Sequence, residues 1–258
     1  ALITTFNFDI SFFERKMLNS LMDNDVKKIE LFVDAGQLDK ALQNNRDNAL
    51  NKKYIVNAID IKSSFHPKVI LLLGQDRAKL IISSANITLS GYTLNNEIFK
   101  SFLYDKNNEN NLNLINDAID FFIKLNDLAY YKDTNIFDSI KNLVYVGKKN
   151  NNTDIKLIHS IDESVNEQIR RIINDKVDSI DVAVPYYDKE LLGLERLKES
   201  FECSNINLYI QNEKSTFPKQ YNEEKNIVDF SKIIVYSKLK NNDKNNFYHG
   251  KVFRINTN

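Results

Sequence analysis

Residues 65–97, FHPKVILLLGQDRAKLIISSANITLSGYTLNNE, predict a β-hairpin with polar residues at the open ends of both strands. The apolar run VILLL is followed by the turn GQDR and by a second apolar run, LII. Since residues two apart on a strand point to the same side of a sheet, His66 and Lys68 project together. Ser84 and Asn86 do the same on the second strand. If the strands pair through the turn, these four side chains face one small space.

These residue types suit a phosphate group. Lys68 supplies positive charge, Ser84 and Asn86 supply neutral hydrogen-bond donors, and a histidine can attack phosphorus or move a proton. Glu97, which closes the stretch, is expected to hold the other ring nitrogen of His66 and so to fix its tautomer. Side-chain donors can stabilise the oxyanions of such a reaction, so the arrangement requires no metal and no cofactor.

A second His-x-Lys, formed by His249 and Lys251, begins another apolar run near the end of the chain. The chain has three histidines, so two of the three stand in this arrangement. The third, His159, lacks such neighbours and is interpreted as a structural or surface residue. A single His-x-Lys, a Ser-x-Asn turn or a strand glutamate is common by chance, so the conjunction carries the functional interpretation.

The order of the patterns predicts an α/β fold of two similar halves, each a mixed β-sheet flanked by helices. The polar, Asn-rich segment 148–154 is the predicted boundary, which gives halves of residues 1–150 and 151–258. Beyond that boundary the pattern begins again, and residues 177–194 align with residues 26–42. Helix, strand, helix, strand and His-x-Lys strand follow one another twice, which indicates an internal duplication.

Individual elements follow from local patterns. Capping boxes are predicted at Ser11 with Glu14 and at Ser164 with Glu167, because the acidic residue lies three positions after the serine. Apolar residues at helical spacing predict a helix over residues 112–128. Apolar patterns predict strands over residues 2–6, 28–33, 53–61, 97–104, 233–239 and 251–255, and a further strand that contains Ile180, Val182 and Val184.

Composition excludes several classes. Lys+Arg and Asp+Glu both number 35, so net charge neither favours nor excludes a nucleic-acid partner. The single cysteine, Cys203, rules out an intrachain disulfide and a multi-cysteine zinc site, and it is predicted to be a buried small hydrophobe. The longest apolar runs have the length of strands, which predicts a cytoplasmic protein with no membrane partner.

The first motif resembles the phospholipase D superfamily, whose signature is His-x-Lys, then an Asp, then Gly-Ser-x-Asn, usually present twice. His66 and Lys68 match the first part, and Ser84 and Asn86 match the last. Two departures stand out. Ser83 occupies the place of the family's glycine, and Asp76 lies at the family's distance before Ser84 but three residues farther than usual from Lys68.

The rest of the signature supports the same resemblance. Glu97 lies thirteen residues after Ser84 and matches the acidic residue that supports the histidine in nuclease-like members. His249 and Lys251 match the second copy. The resemblance implies two halves of the phospholipase D type, and it implies that the two motifs form one active site.

The implied activity is that of a metal-independent phosphodiesterase, a hydrolase. One histidine attacks the phosphodiester and becomes a phosphohistidine, while the other protonates the leaving oxygen and then activates water. Because Glu97 is expected to orient it, His66 is the predicted nucleophile. The nonbridging oxygens are then held by charge-assisted and neutral donors, namely Lys68, Lys251, Ser84 and Asn86.

The motif SANIT followed by Asn96 and Glu97 resembles restriction- and defence-associated nucleases, which implies DNA as substrate and a role in anti-phage defence. A soluble phospholipase or other phosphodiesterase is one alternative. A catalytically weak nucleic-acid-binding module of a larger protein, with helicase-like or other domains, is a second, and a homodimer stays open. Candidate contacts to a phosphate backbone are Lys52, Lys53, Lys62, Arg170 and Arg171.

The second half is expected to be incomplete. Only seven residues, VFRINTN, follow Lys251, whereas Ser84 and Asn86 come sixteen and eighteen residues after Lys68. The strand after Lys251 would then have an unpaired edge. We expect the chain to be part of a longer protein whose continuation supplies a Ser-x-Asn roughly 15–20 residues past Lys251, as the first copy implies.

Overall fold

The computed structural model describes residues 1–43, 49–130, 132, 135–143, 145–148, 155–218, 232–236 and 246–257. It divides into two compact units, one formed by Ala1–Thr93 with Phe99–Leu157 and the other by Leu94–Ile98 with Ile158–Asn258. Each unit contains a mixed sheet with helices, so the predicted α/β fold of two similar halves is confirmed. All but the first residue of the predicted boundary, 148–154, lies outside the described residues.

The sheet of the first unit combines parallel and antiparallel pairs. Its strands are β1 (Leu2–Thr5), β2 (Glu30–Asp34), β3 (Ile55–Ile59), β4 (Val69–Leu73), β5 (Arg77–Ser83) and β6 (Phe99–Asp105). Their order is β3-β2-β1-β4-β5-β6. β1, β2 and β3 run parallel, and β4, β5 and β6 are antiparallel neighbours that continue the sheet from β1. The predicted hairpin is therefore β4 and β5, next to the central strand.

The helices of the first unit cover this sheet. They are α1 (Ile10–Phe12), a π-helical stretch (Phe13–Leu18), α2 (Asn19–Asp23), α3 (Ala35–Gln43), α4 (Leu89–Thr93), α5 (Leu112–Leu128) and α6 (Asn135–Lys141). α5 has the predicted bounds and buries an apolar stripe, within which Phe122 packs its ring 5.8 Å from that of Phe32 on β2. Within the described ranges, no helix has both the length and the apolar character needed to cross a membrane.

The predicted capping box of Ser11 and Glu14 is wrong. α1 begins at Ile10, and its cap is Asp9, whose carboxylate accepts from the backbone N–H of Phe12 at 2.9 Å. Glu14 instead makes long-range bonds, because its Oε1 accepts from the backbone N–H of Ala49 at 2.6 Å and from the Tyr54 hydroxyl at 2.8 Å. Burial and the bond to Glu14 raise the pKa of Tyr54.

The second unit repeats part of this architecture. Its elements are α7 (Val165–Ile172), β7 (Val177–Ala183), α8 (Leu192–Ser200), β8 (Ile206–Gln211), β9 (Lys232–Tyr236) and β10 (Val252–Thr257). The described strands have the order β10-β7-β8-β9, with β7, β8 and β9 parallel and β10 antiparallel to β7. Ser164 caps α7 as predicted, since its Oγ accepts from the N–H of Glu167 at 3.3 Å. Cys203 is buried, also as predicted.

The duplication holds, but its register differs from the sequence alignment by one strand. β7 lies between a parallel and an antiparallel neighbour, which is the place of β1 and not of β2. β8 then corresponds to β2, β9 to β3, and β10 to β4. Short buried strands share the same apolar alternation, so the local pattern does not distinguish one from the next. The two His-x-Lys motifs precede β4 and β10, which are equivalent strands.

Candidate active site

The first motif lies where β4 begins and β5 ends. His66 and Lys68 come directly before β4, and Ser84 and Asn86 come directly after β5. The backbone N–H of Ser83 donates to the carbonyl of Lys68 at 3.0 Å, so pairing continues past the strands into the motif. The hairpin thus brings both parts of the predicted motif to one end of the sheet.

Lys68 is held inside this site although it carries a charged side chain. Its side chain is almost fully buried, with 7% of the residue exposed, and Nζ donates to the carbonyl of His66 at 2.9 Å. Nζ also lies 2.9 Å from Nδ1 of His66. The ring of Phe6, just after β1, packs 4.7 Å from the imidazole and 5.8 Å from Nζ. A fixed, partly desolvated ammonium is a strong donor to an anionic oxygen.

The end of β1 holds the Ser-x-Asn segment. The backbone N–H of Asn7 donates to Oδ1 of Asn86 at 3.1 Å, which orients the amide and leaves its Nδ2 group as the donor for an oxyanion. Thr5 accepts from the N–H of Ile87 at 3.0 Å. Ser84 is buried beside them. Asn86 is therefore oriented by a hydrogen bond to the backbone just after β1, and Ser84 is buried in the same segment.

Gly91, on α4, backs Asn86 so closely that a side chain does not fit. A Cβ there would lie 2.4 Å from the backbone oxygen of Asn86. We expect Gly91→Ala to lower the free energy of unfolding by about 1–3 kcal/mol, as overpacking does. Gly36→Ala is the matched control, because its Cβ meets only Oδ1 of Asp34 at 3.5 Å. Denaturant unfolding of both variants measures the effect, and equal stability of Gly91→Ala and the wild type would contradict it.

The second motif contains a buried acid–histidine pair. Nδ1 of His249 lies 2.9 Å and 3.0 Å from the two carboxylate oxygens of Glu97, whose Oε1 also accepts from Asn95 at 3.0 Å. The two side chains are 6% and 2% exposed. An ionised carboxylate only accepts, so Nδ1 carries the proton and Nε2 has the lone pair. Lys251 lies 3.3 Å from that Nε2.

This pair corrects the prediction that Glu97 orients His66. Both oxygens of Glu97 contact His249, because the segment Leu94–Ile98 belongs to the second unit. There the N–H of Asn96 donates to the carbonyl of Phe247 at 2.8 Å, and the N–H of His249 donates to the carbonyl of Asn96 at 3.0 Å. The reason for choosing His66 as the nucleophile is thereby removed.

Lys251 repeats the contacts of the first lysine. Its Nζ donates to the carbonyl of His249 at 2.9 Å and lies 5.7 Å from the ring of Tyr186. That ring lies 5.8 Å from the imidazole of His249, as the ring of Phe6 lies against His66. Desolvation lowers the pKa of Lys251, and the charge of Glu97 opposes this fall. Aromatic residues after the equivalent strands β1 and β7 therefore accompany both motifs, which sequence inspection missed.

The lowered pKa of Lys251 predicts the alkaline limb of the pH profile. Only the protonated ammonium binds a phosphate oxygen as a cation, so activity should fall as the pH rises through a pKa below the ordinary 10.5. In Lys251→Arg the guanidinium stays charged, and this limb should disappear. Lys232→Arg, at an exposed position on β9, is the control and should keep the wild-type profile. An unchanged limb in Lys251→Arg would contradict the prediction.

Other residues singled out from the sequence lie outside the motifs. Asp76 lies in the hairpin turn, where it pairs with Lys106 at 2.9 Å. The carbonyl of His159 accepts from Gln168 at 2.6 Å, and its Nδ1 accepts from the backbone N–H of Ile161 at 3.4 Å.

The predicted phosphate-contact residues all stand at exposed positions. Arg170 pairs with Glu202 at 3.3 Å, and Arg171 pairs with Glu163. The remaining members of the set are exposed lysines, namely Lys52, Lys53 and Lys62. Within the described part of the chain, no group of three or more His, Cys, Asp or Glu side chains could hold a metal ion.

No family model matches the chain, and no curated protein sequence matches it. By structure it is similar to polyphosphate kinase from Porphyromonas gingivalis, with 12% identity and a TM-score of 0.45 over 98% of this chain and 38% of that chain. It is also similar to yeast tyrosyl-DNA phosphodiesterase, with 13% identity and a TM-score of 0.43 over 81% of this chain and 58% of that chain. A mutant of the yeast enzyme gives 12% identity and a TM-score of 0.47, over 81% of this chain and 56% of that one. The chain thus spans less than two thirds of each.

Proposed function

We propose that this chain is a phosphodiesterase of the phospholipase D type that acts on DNA through a phosphohistidine. The observation that carries the proposal is the buried pair of Glu97 and His249 beside Lys251. It combines a histidine of fixed tautomer, a carboxylate that contacts Nδ1 and an ammonium that contacts Nε2. The same His-x-Lys arrangement, with His66 and Lys68, precedes the equivalent strand of the other unit.

We assign the attack to His249. The lone pair on Nε2 forms a P–N bond, the P–O bond to the leaving group breaks, and His66 gives the leaving oxygen a proton. Water then attacks phosphorus, His66 takes the proton from that water, and the P–N bond breaks with its electrons returning to Nε2. Glu97 stabilises the positive charge that the ring carries in between. That both motifs act in one reaction remains a prediction.

Cationic and neutral donors supply the electrostatic stabilisation. Lys68 and Lys251 neutralise the charge on the nonbridging oxygens, and Asn86 and Ser84 add neutral hydrogen bonds. In this proposal, side chains of the protein stabilise the negative charge that develops in the transition state.

Cleavage of a labelled DNA oligonucleotide in excess EDTA tests this chemistry. We expect full activity with the chelator, since the lysines already provide the positive charge. Rapid quenching should trap label on the protein in a bond that is stable to base and labile to acid, as expected for a phosphohistidine. Loss of cleavage with EDTA and its recovery with Mg²⁺ would overturn the mechanism.

DNA is the proposed substrate on two grounds. The SANIT form of the first motif resembles defence-associated nucleases, from which we also propose a role in restriction or anti-phage defence. In addition, the ring of Tyr186 is 51% exposed beside the His-x-Lys motif and offers a surface on which a base can stack. Affinity for DNA should fall steeply with salt concentration. Hydrolysis of phosphatidylcholine without DNA binding at low salt would favour a phospholipase instead.

A further inference from the structure

The last residue of β2 holds the backbone in front of the first catalytic histidine. Oδ2 of Asp34 accepts from the backbone N–H of Phe65 at 3.1 Å, and Phe65 directly precedes His66. The other oxygen, Oδ1, accepts from the N–H of Gln37 at 3.2 Å at the start of α3. One carboxylate therefore ties the motif segment to the end of β2.

The last residue of β8 does the same in front of the second histidine. Oε1 of Gln211 accepts from the backbone N–H of Tyr248 at 2.8 Å, and Tyr248 directly precedes His249. Its Nε2 donates to the carbonyl of Asn246 at 2.8 Å. Gln211 is 4% exposed, so both bonds are made away from water. The two bonds fix the segment at two points.

These two contacts are equivalent by topology. β2 and β8 are the parallel neighbours of β1 and β7, whose antiparallel neighbours are the His-x-Lys strands β4 and β10. In both units the last side chain of that strand accepts from the N–H of the residue before the histidine. The residue types differ, Asp34 in one unit and Gln211 in the other. Because different residues make the same bond in the two units, the bond itself is what both His-x-Lys segments require.

Helix capping accounts for only part of the arrangement. Oδ1 of Asp34 serves α3, but its second oxygen serves Phe65. The side chain of Gln211 bonds to residues of the motif segment, and the turn after β8 is closed by its backbone carbonyl, which accepts from Ser215 at 3.1 Å. Both side chains therefore accept from a backbone N–H in the segment that carries the histidine.

The histidine of each motif precedes its strand, so its backbone is held by bonds made outside the regular strand pairing. β4 begins at Val69 and β10 at Val252, after the histidine in each case. A bond to the preceding N–H fixes the backbone from which the imidazole projects, and catalytic groups need placement within about 0.5 Å. We infer that Asp34 and Gln211 are positioning residues for His66 and His249. The inference rests on the proposed function only for the roles of the histidines.

The test compares Gln211→Met, which keeps the size and removes both bonds, with Gln168→Met. Gln168 is the matched control, because it also donates to backbone carbonyls of the same unit but lies on α7. In ¹⁵N spectra of the three imidazoles, the His249 signals of Gln211→Met should move from the fixed Nδ1–H form toward a mixture of tautomers, with His159 unchanged. Turnover should fall about 100-fold with little change in KM. Gln168→Met should alter neither.

Two outcomes separate this inference from the proposed function. If the wild type cleaves no phosphodiester, the proposed function is disproved. The ¹⁵N signals of His249 still show whether Gln211 positions the imidazole. Wild-type signals and turnover in Gln211→Met would overturn the inference. If that variant does not fold, hydrogen exchange of the wild type decides, because the N–H groups of Phe65 and Tyr248 should both be protected. Fast exchange at both would overturn the inference as well.

Discussion

His249→Ala is expected to lose phosphodiester cleavage, with turnover lowered by about 10²–10⁴-fold or more. A buried carboxylate fixes the tautomer of the His249 imidazole, so its Nε2 is the proposed nucleophile. Without it no phosphoenzyme forms, whatever the leaving group. His159→Ala is the control, since that residue lies outside both His-x-Lys motifs and precedes α7, and it should retain wild-type turnover.

His66→Ala should behave differently if it transfers the proton. Cleavage of DNA should fall by a similar factor, because the leaving alkoxide needs a proton. With a 4-nitrophenyl ester, whose leaving group needs none, His66→Ala should still release a burst of nitrophenolate and accumulate phosphoenzyme. A burst in His249→Ala and none in His66→Ala would exchange the two roles. Full activity of His249→Ala would disprove its part in the reaction.

Glu97→Gln is expected to lower turnover by about 10²–10⁴-fold, the range seen when a histidine loses its orienting carboxylate. The amide can still accept from Nδ1 of His249, but it does not stabilise the positive ring formed after attack. Because the two side chains have the same size, the free energy of unfolding should change much less than turnover. Denaturant unfolding and burst kinetics separate the two effects.

Glu190→Gln, at an exposed position of the same unit, is the matched control and should leave turnover unchanged. Wild-type turnover in Glu97→Gln would place this carboxylate outside the reaction. The contact with His249 would then be structural only.

Local signals in the sequence predicted local structure well. The hairpin β4–β5 and the bounds of α5 follow from alternation and from helical spacing, which neighbouring residues determine. The cap at Ser164 was recognised for the same reason. The capping box at Ser11 failed because a better acceptor, Asp9, stands two residues earlier, and because Glu14 accepts hydrogen bonds from the distant residues Ala49 and Tyr54.

The site was predictable only where the hairpin itself makes it. Pairing of β4 with β5 brings Ser84 and Asn86 to the His-x-Lys segment. All of these residues are close in the sequence, so a local pattern was enough to predict that they meet. The partner of Glu97 is 152 residues away, so spacing could not identify it. The anchors Asp34 and Gln211 differ in residue type. Their correspondence becomes visible when the strand orders of the two sheets are compared.

The short segment Leu94–Ile98 has a consequence for how this protein can be divided. A cut at the polar linker near residue 150, by protease or by gene design, leaves Glu97 on one fragment and His249 on the other. The C-terminal fragment would keep His249 and Lys251 but lose the carboxylate that contacts Nδ1 of His249. With a C-terminal fragment that begins near residue 150, complementation should therefore restore activity only when the N-terminal fragment includes Glu97. The compact unit that contains His249 therefore depends on one side chain, that of Glu97, from the N-terminal part of the sequence.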